Sequence, residues 1–296
     1  MKKKINLIYI ASNGRSGSTL LDMLLGRHKN CFTLGEFQVL SIEYIVNKHL
    51  CGCGKRLDMC DFWDGIIKKN KKIIFDGSIS RFRKNDNGSV LRWKELKDIF
   101  FNTFNSKKEI SRYGLENYKV LKSLIKTAQS NKKINFLIDA SKDPYRLAWL
   151  LRSKYFEIKI LHIIKLPEAF VYSMCKNEQN FVKRWFKTIR MSLRWILQNI
   201  IISKVSNKHS KKKIRYEELA LNTHTNLKEI FNFLNLKYQN TSKDVFQKKN
   251  HAIAGNIMRF NSRKILLDDK WKSKMSKLDK YTVFIITALF KRLYYN

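Results

Sequence analysis

The sequence predicts an α/β chain: a doubly wound parallel sheet flanked by helices, with helical insertions. Three observations carry this. Short apolar runs rich in β-branched residues recur along the chain, at Ile5–Ala11, Ile134–Asp139 and Ile158–Ile164, each long enough for a strand buried on both faces. Each is followed by a pattern of helical period, Ser18–Leu25, Pro144–Leu151 and one opening at Pro167. A glycine-containing turn joins the first strand to the first helix. Strand–helix alternation of this kind yields a parallel sheet rather than a sandwich or a bundle.

Taken in order, Ile5–Ala11 is the first strand. Its basic start, Met1–Lys4, mimics a secretory leader, but the apolar run is short and breaks at Ser12-Asn13-Gly14-Arg15 with no cleavage-like site. A long stretch of about residues 37–133 then separates the first two apolar strands and reads as a helical insertion. It has helical patterns near Trp93–Phe104 and Leu115–Ala128 and a polar loop over Asp76–Ser89. After the third strand, Phe181–Ser203 is a long helix expected to bury Trp185, Ile189, Leu193, Ile196 and Ile200. Lys213–Tyr216 is a fourth strand, leading to a helix over Thr225–Leu234. The run Tyr281–Phe290 is about half the roughly 20 residues a bilayer span needs, so it is expected to be a core helix. Its basic flanks, Lys280 and Lys291-Arg292, allow peripheral contact with an acidic membrane surface. With two prolines and eleven glycines there is little linker material, and residues 1–296 are expected to form one domain.

The charge is +36, from 60 Lys and Arg against 24 Asp and Glu. Such a field draws anions. The basic runs are scattered, however, and lack the interleaved aromatics on one face that a nucleic-acid-binding module needs, so no nucleic-acid partner is expected. Five cysteines, an odd number in a chain of this size, argue against a disulfide framework and for a reducing, cytoplasmic location. Three cluster as Cys51-Gly52-Cys53-Gly54 and Cys60. With His49 they make a conceivable zinc set, but the spacing fits none of the usual zinc-finger patterns. We expect a tight glycine turn with buried thiols and no metal.

The segment Asn13-Gly14-Arg15-Ser16-Gly17-Ser18-Thr19 is the most informative. A glycine turn at a helix N-terminus points successive N–H groups at one spot and forms a P-loop-like anion cradle. Ser18 and Thr19 add hydroxyls, and Arg15 adds a charge. Set against the nucleotide-triphosphate loop G-x4-G-K-[ST], Ser18 stands where the lysine belongs. A P-loop kinase of small molecules, the main rival reading, needs that lysine and a magnesium ligand.

At these residues the chain resembles the sulfotransferases that use 3′-phosphoadenosine 5′-phosphosulfate (PAPS), and bacterial relatives of the carbohydrate and protein-tyrosine type in particular. Their 5′-phosphosulfate loop reads [RK]-S-G-[ST]-T, here Arg15 to Thr19. The likeness continues through His28 and Gly35-Glu36, the cysteine segment with Phe62-Trp63, Asp139-Ala-Ser141-Lys142-Asp-Pro144, and His251 to Arg259 followed by Asp269-Lys-Trp271. The family's 3′-phosphate motif begins with Arg at a strand end and has Ser eight residues on, at the start of a helix. Here Lys165 and Ser173 hold those places, and lysine gives up the bidentate guanidinium fork.

The resemblance implies transfer of a sulfuryl group from PAPS to a hydroxyl-bearing acceptor by in-line displacement. Gly14, Arg15, Ser16, Gly17, Ser18, Thr19, Lys165, Ser173 and Arg259 would bind the nucleotide. Arg15 and Lys142 would neutralise the leaving-group charge. Glu36 would take the hydroxyl proton, its pKa raised toward neutrality by burial.

Overall fold

The computed structural model describes residues 3–46, 49–76, 79–83, 92–129, 133–243, 245–246, 250–261 and 264–295. Much of the loop expected over Asp76–Ser89 lies outside them. Five strands form one sheet: β1 (Ile5–Ser12), β2 (Cys31–Gly35), β3 (Phe136–Lys142), β4 (Phe156–Ile164) and β5 (Lys211–Arg215). All pairings are parallel, in the order β2-β3-β1-β4-β5. The predicted class holds.

The sheet is apolar on both faces, as its unalternating runs require. Leu7, Tyr9 and Ala11 of β1 pack under the insertion helices with Phe37, Trp63 and Trp149. Ile8 and Ile10 face the helices Ser18–Gly26 and Thr223–Leu234. A third cluster joins the helices Pro167–Cys175, Phe181–Ser206 and Lys277–Tyr294.

Four elements differ from the sequence reading. β2 was not foreseen, because five residues with one β-branched side chain give no periodic signal; it pairs with β3 along its length and meets Ile253 in a single bridge at Gly35. β5 starts two residues earlier than expected, so the lysine run 211–213 lies in the edge strand, where charge discourages further strand pairing. The insertion's longest helix runs over Lys107–Ala128, through Gly114. That glycine marks a close approach and not a boundary, since a Cβ there would lie 2.1 Å from Ser153 Oγ.

The fourth difference is the face of Phe181–Ser206. It buries Thr188, Ser192, Trp195, Asn199 and Ile202, and leaves Leu193 exposed. Polar members of the buried face have specific partners. Gln198 Nε2 donates to the Ser12 carbonyl at 2.7 Å, and Asn199 Oδ1 lies 2.9 Å from His162 Nε2. Hydrogen bonding sets this face where the apolar period misleads.

Candidate functional site

The chain leaves β1, returns through β2 and β3 on one side, and crosses to β4 on the other, so a crevice opens at the carboxyl end of β1. Such switch points are where α/β sheets bind ligands. Every charged residue singled out on a strand end reaches this edge: Arg15 after β1, Glu36 after β2, Lys142 closing β3 and Lys165 after β4.

The loop after β1 is packed closely against the chain. Gly17 has φ +87° and its Cα faces the Tyr216 ring, so a Cβ would sit 2.2 Å from that ring. Arg15 is exposed and also in the left-handed region, at φ 64°. Such conformations persist at sites that hold them for a purpose. The buried hydroxyls of Ser12 and Ser16 have no hydrogen-bond partner among the described residues. Ser18 is buried at the start of the helix Ser18–Gly26, and Thr19 Oγ1 accepts from the Asn256 amide at 3.2 Å. Gly14 has open space beside it.

Glu36 and Lys142 form an ion pair, with both side chains largely buried. Arg83 approaches the other carboxylate oxygen at 4.0 Å. Burial pulls the Glu36 pKa up, but the charge and hydrogen bond of Lys142, aided by Arg83 and His49, outweigh it and hold the carboxyl below its usual range. This corrects the expectation of a raised pKa: Glu36 is ionised. Lys142 sits at φ 67°, beside a register shift between β1 and β3. Beneath it, Asp139 accepts from the Ser141 amide at 3.0 Å and holds the fully buried Arg146 through two bonds of 3.0 and 2.8 Å. Arg146 also donates to Tyr113 and Asn117. Sequence reasoning missed this arginine, which ties β3 to the insertion.

Lys165 is buried, its ammonium 4.7 Å from the Tyr216 ring centre and 3.8 Å from Asp268 Oδ2. Burial lowers its pKa most; Asp268 and Glu217 oppose the shift, while Lys176 and Arg15 add to it. Arg15 and Lys165 therefore share one field. Ser173 lies late in the helix Pro167–Cys175, not at its start.

Arg259 closes the opposite wall. It is buried and donates to the Ala252, Ala254 and Leu50 carbonyls. With Thr19, Asp22, Glu36 and Lys142 it lines one cleft. Asp22 was also missed. Burial raises its pKa to about 7 against the opposing pull of Thr33, whose hydroxyl donates to it at 2.5 Å, and of Arg259 and Lys142.

The segment 250–259 runs over this cleft as a strap. Ile253 forms a parallel bridge with Gly35: its amide donates to Leu34 and its carbonyl accepts from Glu36, at 2.9 and 2.8 Å. Gly35, at φ +67°, has no room for a side chain, since a Cβ would lie 2.3 Å from the Ile253 carbonyl. The thiols also depart from expectation. His49 turns to Glu43, with Nδ1 2.8 Å from Oε1, whereas His251 from the strap completes a group with Cys51, Cys53 and Cys60. Four metal-ligating side chains thus meet where no metal was expected.

No family model matches the chain, and no curated protein matches it in sequence. Solved structures do match in fold. A sulfotransferase domain from the Synechococcus PCC 7002 olefin synthase aligns with TM-score 0.59 at 16% identity, covering 98% of this chain and 96% of its own. The sulfotransferase domain from the curacin biosynthetic pathway aligns with TM-score 0.56 at 18% identity, over 98% and 99%. The sulfotransferase STF9 from Mycobacterium avium gives 0.50 at 11%, over 99% and 77%. The chain has the sulfotransferase fold, a P-loop-like parallel sheet flanked by helices. No helix among the described residues is long and apolar enough to cross a membrane.

Proposed function

We propose that this protein is a PAPS-dependent sulfotransferase that acts on a hydroxyl-bearing acceptor, with residues 1–296 as one catalytic domain working in the cytoplasm. The observation that carries the reading is the arrangement of Arg15, Lys142 and Lys165 at three adjacent strand ends, around a loop that lacks the lysine of a triphosphate site. Five free cysteines fit a reducing compartment.

In this reading the 5′-phosphosulfate lies in the cradle of Gly14 to Thr19. The acceptor oxygen attacks sulfur, the bond from sulfur to the bridging 5′-phosphate oxygen breaks, and the hydroxyl proton passes to Glu36. Negative charge grows on the bridging oxygen, where preorganised cations contribute most to catalysis. Arg15 supplies one. Lys142, paired with Glu36 at rest, supplies a second by shifting toward that oxygen. Its departure removes the charge that depresses the Glu36 pKa and makes the carboxylate a better base as the proton moves. Lys165 and Ser173 hold the 3′-phosphate, and Arg259 braces the strap over the nucleotide.

The test is transfer of label from ³⁵S-PAPS across a panel of sugars, lipids, tyrosyl peptides and small alcohols, beside thermal melting with nucleotides. 3′-Phosphoadenosine 5′-phosphate (PAP) should raise the melting temperature and ATP with magnesium should not. Stabilisation by ATP·Mg²⁺ alone would favour a kinase and overturn the reading.

A further inference from the structure

Cys51, Cys53, Cys60 and His251 bring one ligand atom each to within 4.8 Å of one another. The sulfurs of Cys51 and Cys60 are 3.6 Å apart and those of Cys53 and Cys60 3.7 Å apart, and His251 Nδ1 lies 3.8 and 3.3 Å from the sulfurs of Cys51 and Cys60. A tetrahedral zinc ion with bonds of about 2.3 Å to sulfur and 2.0 Å to nitrogen requires sulfur–sulfur edges of about 3.8 Å and sulfur–nitrogen edges of about 3.5 Å. The four side chains already lie close to that geometry. The ligands are too near one another to surround a multinuclear cluster, and a sulfur-rich tetrahedral set selects zinc over magnesium or calcium.

The surroundings are built to fix these ligands. The Cys51 amide donates to the Lys55 carbonyl and the Gly54 amide to the Cys51 carbonyl, at 2.9 and 2.8 Å, which closes a tight knuckle around Cys51 and Cys53. Cys60 starts the helix Asp61–Lys69, its carbonyl accepting from Trp63 and Asp64. The His251 ring stacks on Phe62 with centroids 4.5 Å apart, and its carbonyl accepts from Trp63 Nε1 at 2.8 Å. The Gly52 amide donates to the Ala252 carbonyl at 3.0 Å. Cys51 and Cys53 are thus fixed by one shared turn, and Cys60 and His251 by backbone and ring contacts of their own.

We propose that these three thiolates and one imidazole bind a single structural Zn²⁺ that fastens the strap 250–259 to the insertion. In this structural role the ion touches no substrate. Two residues beyond His251, Ile253 bridges Gly35 and accepts the Glu36 amide, and Asn256 bonds Thr19 at the cradle. Zinc at this point sets the position of the strap, and through it the Glu36 backbone.

The test is metal analysis of the untagged full chain, purified without chelator. One zinc per chain is expected. Cys60→Ser and His251→Ala should lose it, His49→Ala should keep it, and His251→Cys should restore binding with four sulfurs. Cobalt exchanged into the wild type should show thiolate-to-metal charge-transfer absorption and intense tetrahedral d–d bands, the former stronger in His251→Cys. Chelation should lower the melting temperature by on the order of 10 °C. Folded wild-type protein without zinc, its three thiols reacting equally fast with and without chelator, would overturn the proposal. So would a Cys51–Cys60 disulfide in fresh protein, or stoichiometric iron. None of these readouts depends on the transferase reading.

A second inference rests on the helix Lys277–Tyr294, which is amphipathic in the wrong sense for a core helix. It buries Asp279, Val283 and Thr287 and exposes Leu278, Tyr281, Phe284, Ile285, Leu289 and Leu293. The expected core helix over Tyr281–Phe290 is therefore one on a single face, where Val283, Ile286 and Phe290 join the third cluster, while most of its apolar residues point outward. Beside it, Phe181, Val182 and Phe186 are exposed on the neighbouring helix, which is tied to it by the Arg184–Asp279 pair and the bond from Trp185 Nε1 to Thr282. Lys277, Lys280, Lys291 and Arg292 accompany the apolar stripe. A second copy of this chain, also carrying +36, would be repelled, whereas an anionic lipid surface complements both the charge and the apolar face.

We infer that this face docks on acidic membrane. Sedimentation with phosphatidylcholine vesicles containing phosphatidylserine should capture the protein. Pure phosphatidylcholine should not, and Phe284→Ser/Leu289→Ser should reduce capture at least tenfold while the melting temperature holds. Equal capture of the double variant, or a concentration-dependent dimer with no vesicle binding, would overturn it.

Discussion

The cradle after β1 and the strap that covers it meet at one bond, Asn256 to Thr19, yet they are specified in opposite ways. The cradle is local. Seven consecutive residues between a strand and a helix make it, and outside contacts with Tyr216, Trp195 and Asn256 only brace it. The strap is held from a distance: Ile253 pairs with Gly35, Arg259 reaches the Leu50 carbonyl, and His251 joins thiols some 200 positions earlier. Chemistry concentrated in one segment can be recognised from that segment. Chemistry assembled from several needs the fold first.

The sharpest way to break this comparison is at Glu36, where cradle side and strap side meet. Glu36→Gln should lower turnover by roughly 10²–10⁴, the usual contribution of a positioned base, while PAP affinity stays near wild type. Parallel sulfation rates and calorimetry check this. Wild-type turnover would remove Glu36 from the chemistry. An early-melting protein would show that its pair with Lys142 is chiefly structural. Arg15→Ala should cost both steps, roughly 10²–10³ in turnover together with weaker PAP binding, because in the proposed reaction this cation faces the leaving phosphate throughout. A loss confined to affinity would move Arg15 out of the transition state.

These two positions also show what the sequence could reveal. The parallel sheet was legible because buried strands are near-continuous apolar runs, and the strand-end cations were legible because each closes or follows such a run. β2 was illegible: Cys31–Gly35 is an edge strand whose place is set by pairing with β3, not by any period of its own. The buried faces of Phe181–Ser206 and Lys277–Tyr294 misled because one buries amides for their partners and the other turns its apolar stripe outward. Asp22 and Arg146 look like ordinary helix residues until burial and their contacts with Thr33 and Asp139 are known. His251 became a candidate ligand only through the bridge that brings the strap to Gly35.

A stability profile against pH examines the strap side without any substrate. Asp22 has its pKa raised from 3.8 to about 7, so the folded protein binds more protons than the unfolded chain between those values. Stability therefore falls as pH rises from about 4 to 7, by on the order of 4 kcal/mol from this group, and levels off above. Asp22→Asn should flatten that limb in denaturant titrations at successive pH values. His162 acts in the opposite sense. Burial lowers its pKa from 6.5 to about 4, so its contribution is present above 6.5 and lost as pH falls toward 4. The smallest change expected is at Lys165→Arg, where a guanidinium can bond two phosphate oxygens and should tighten PAP by roughly threefold.

Calorimetry of PAP against AMP, on the wild type and on Lys165→Ala, tests the central claim most directly: that the edge formed by β1, β3 and β4 is a site for a 3′-phosphorylated nucleotide. The wild type should bind PAP roughly a hundredfold more tightly than AMP, as a charge-assisted 3′-phosphate contact requires, and Lys165→Ala should erase most of that difference while leaving AMP nearly unchanged. Equal affinity of the wild type for the two nucleotides would contradict the account.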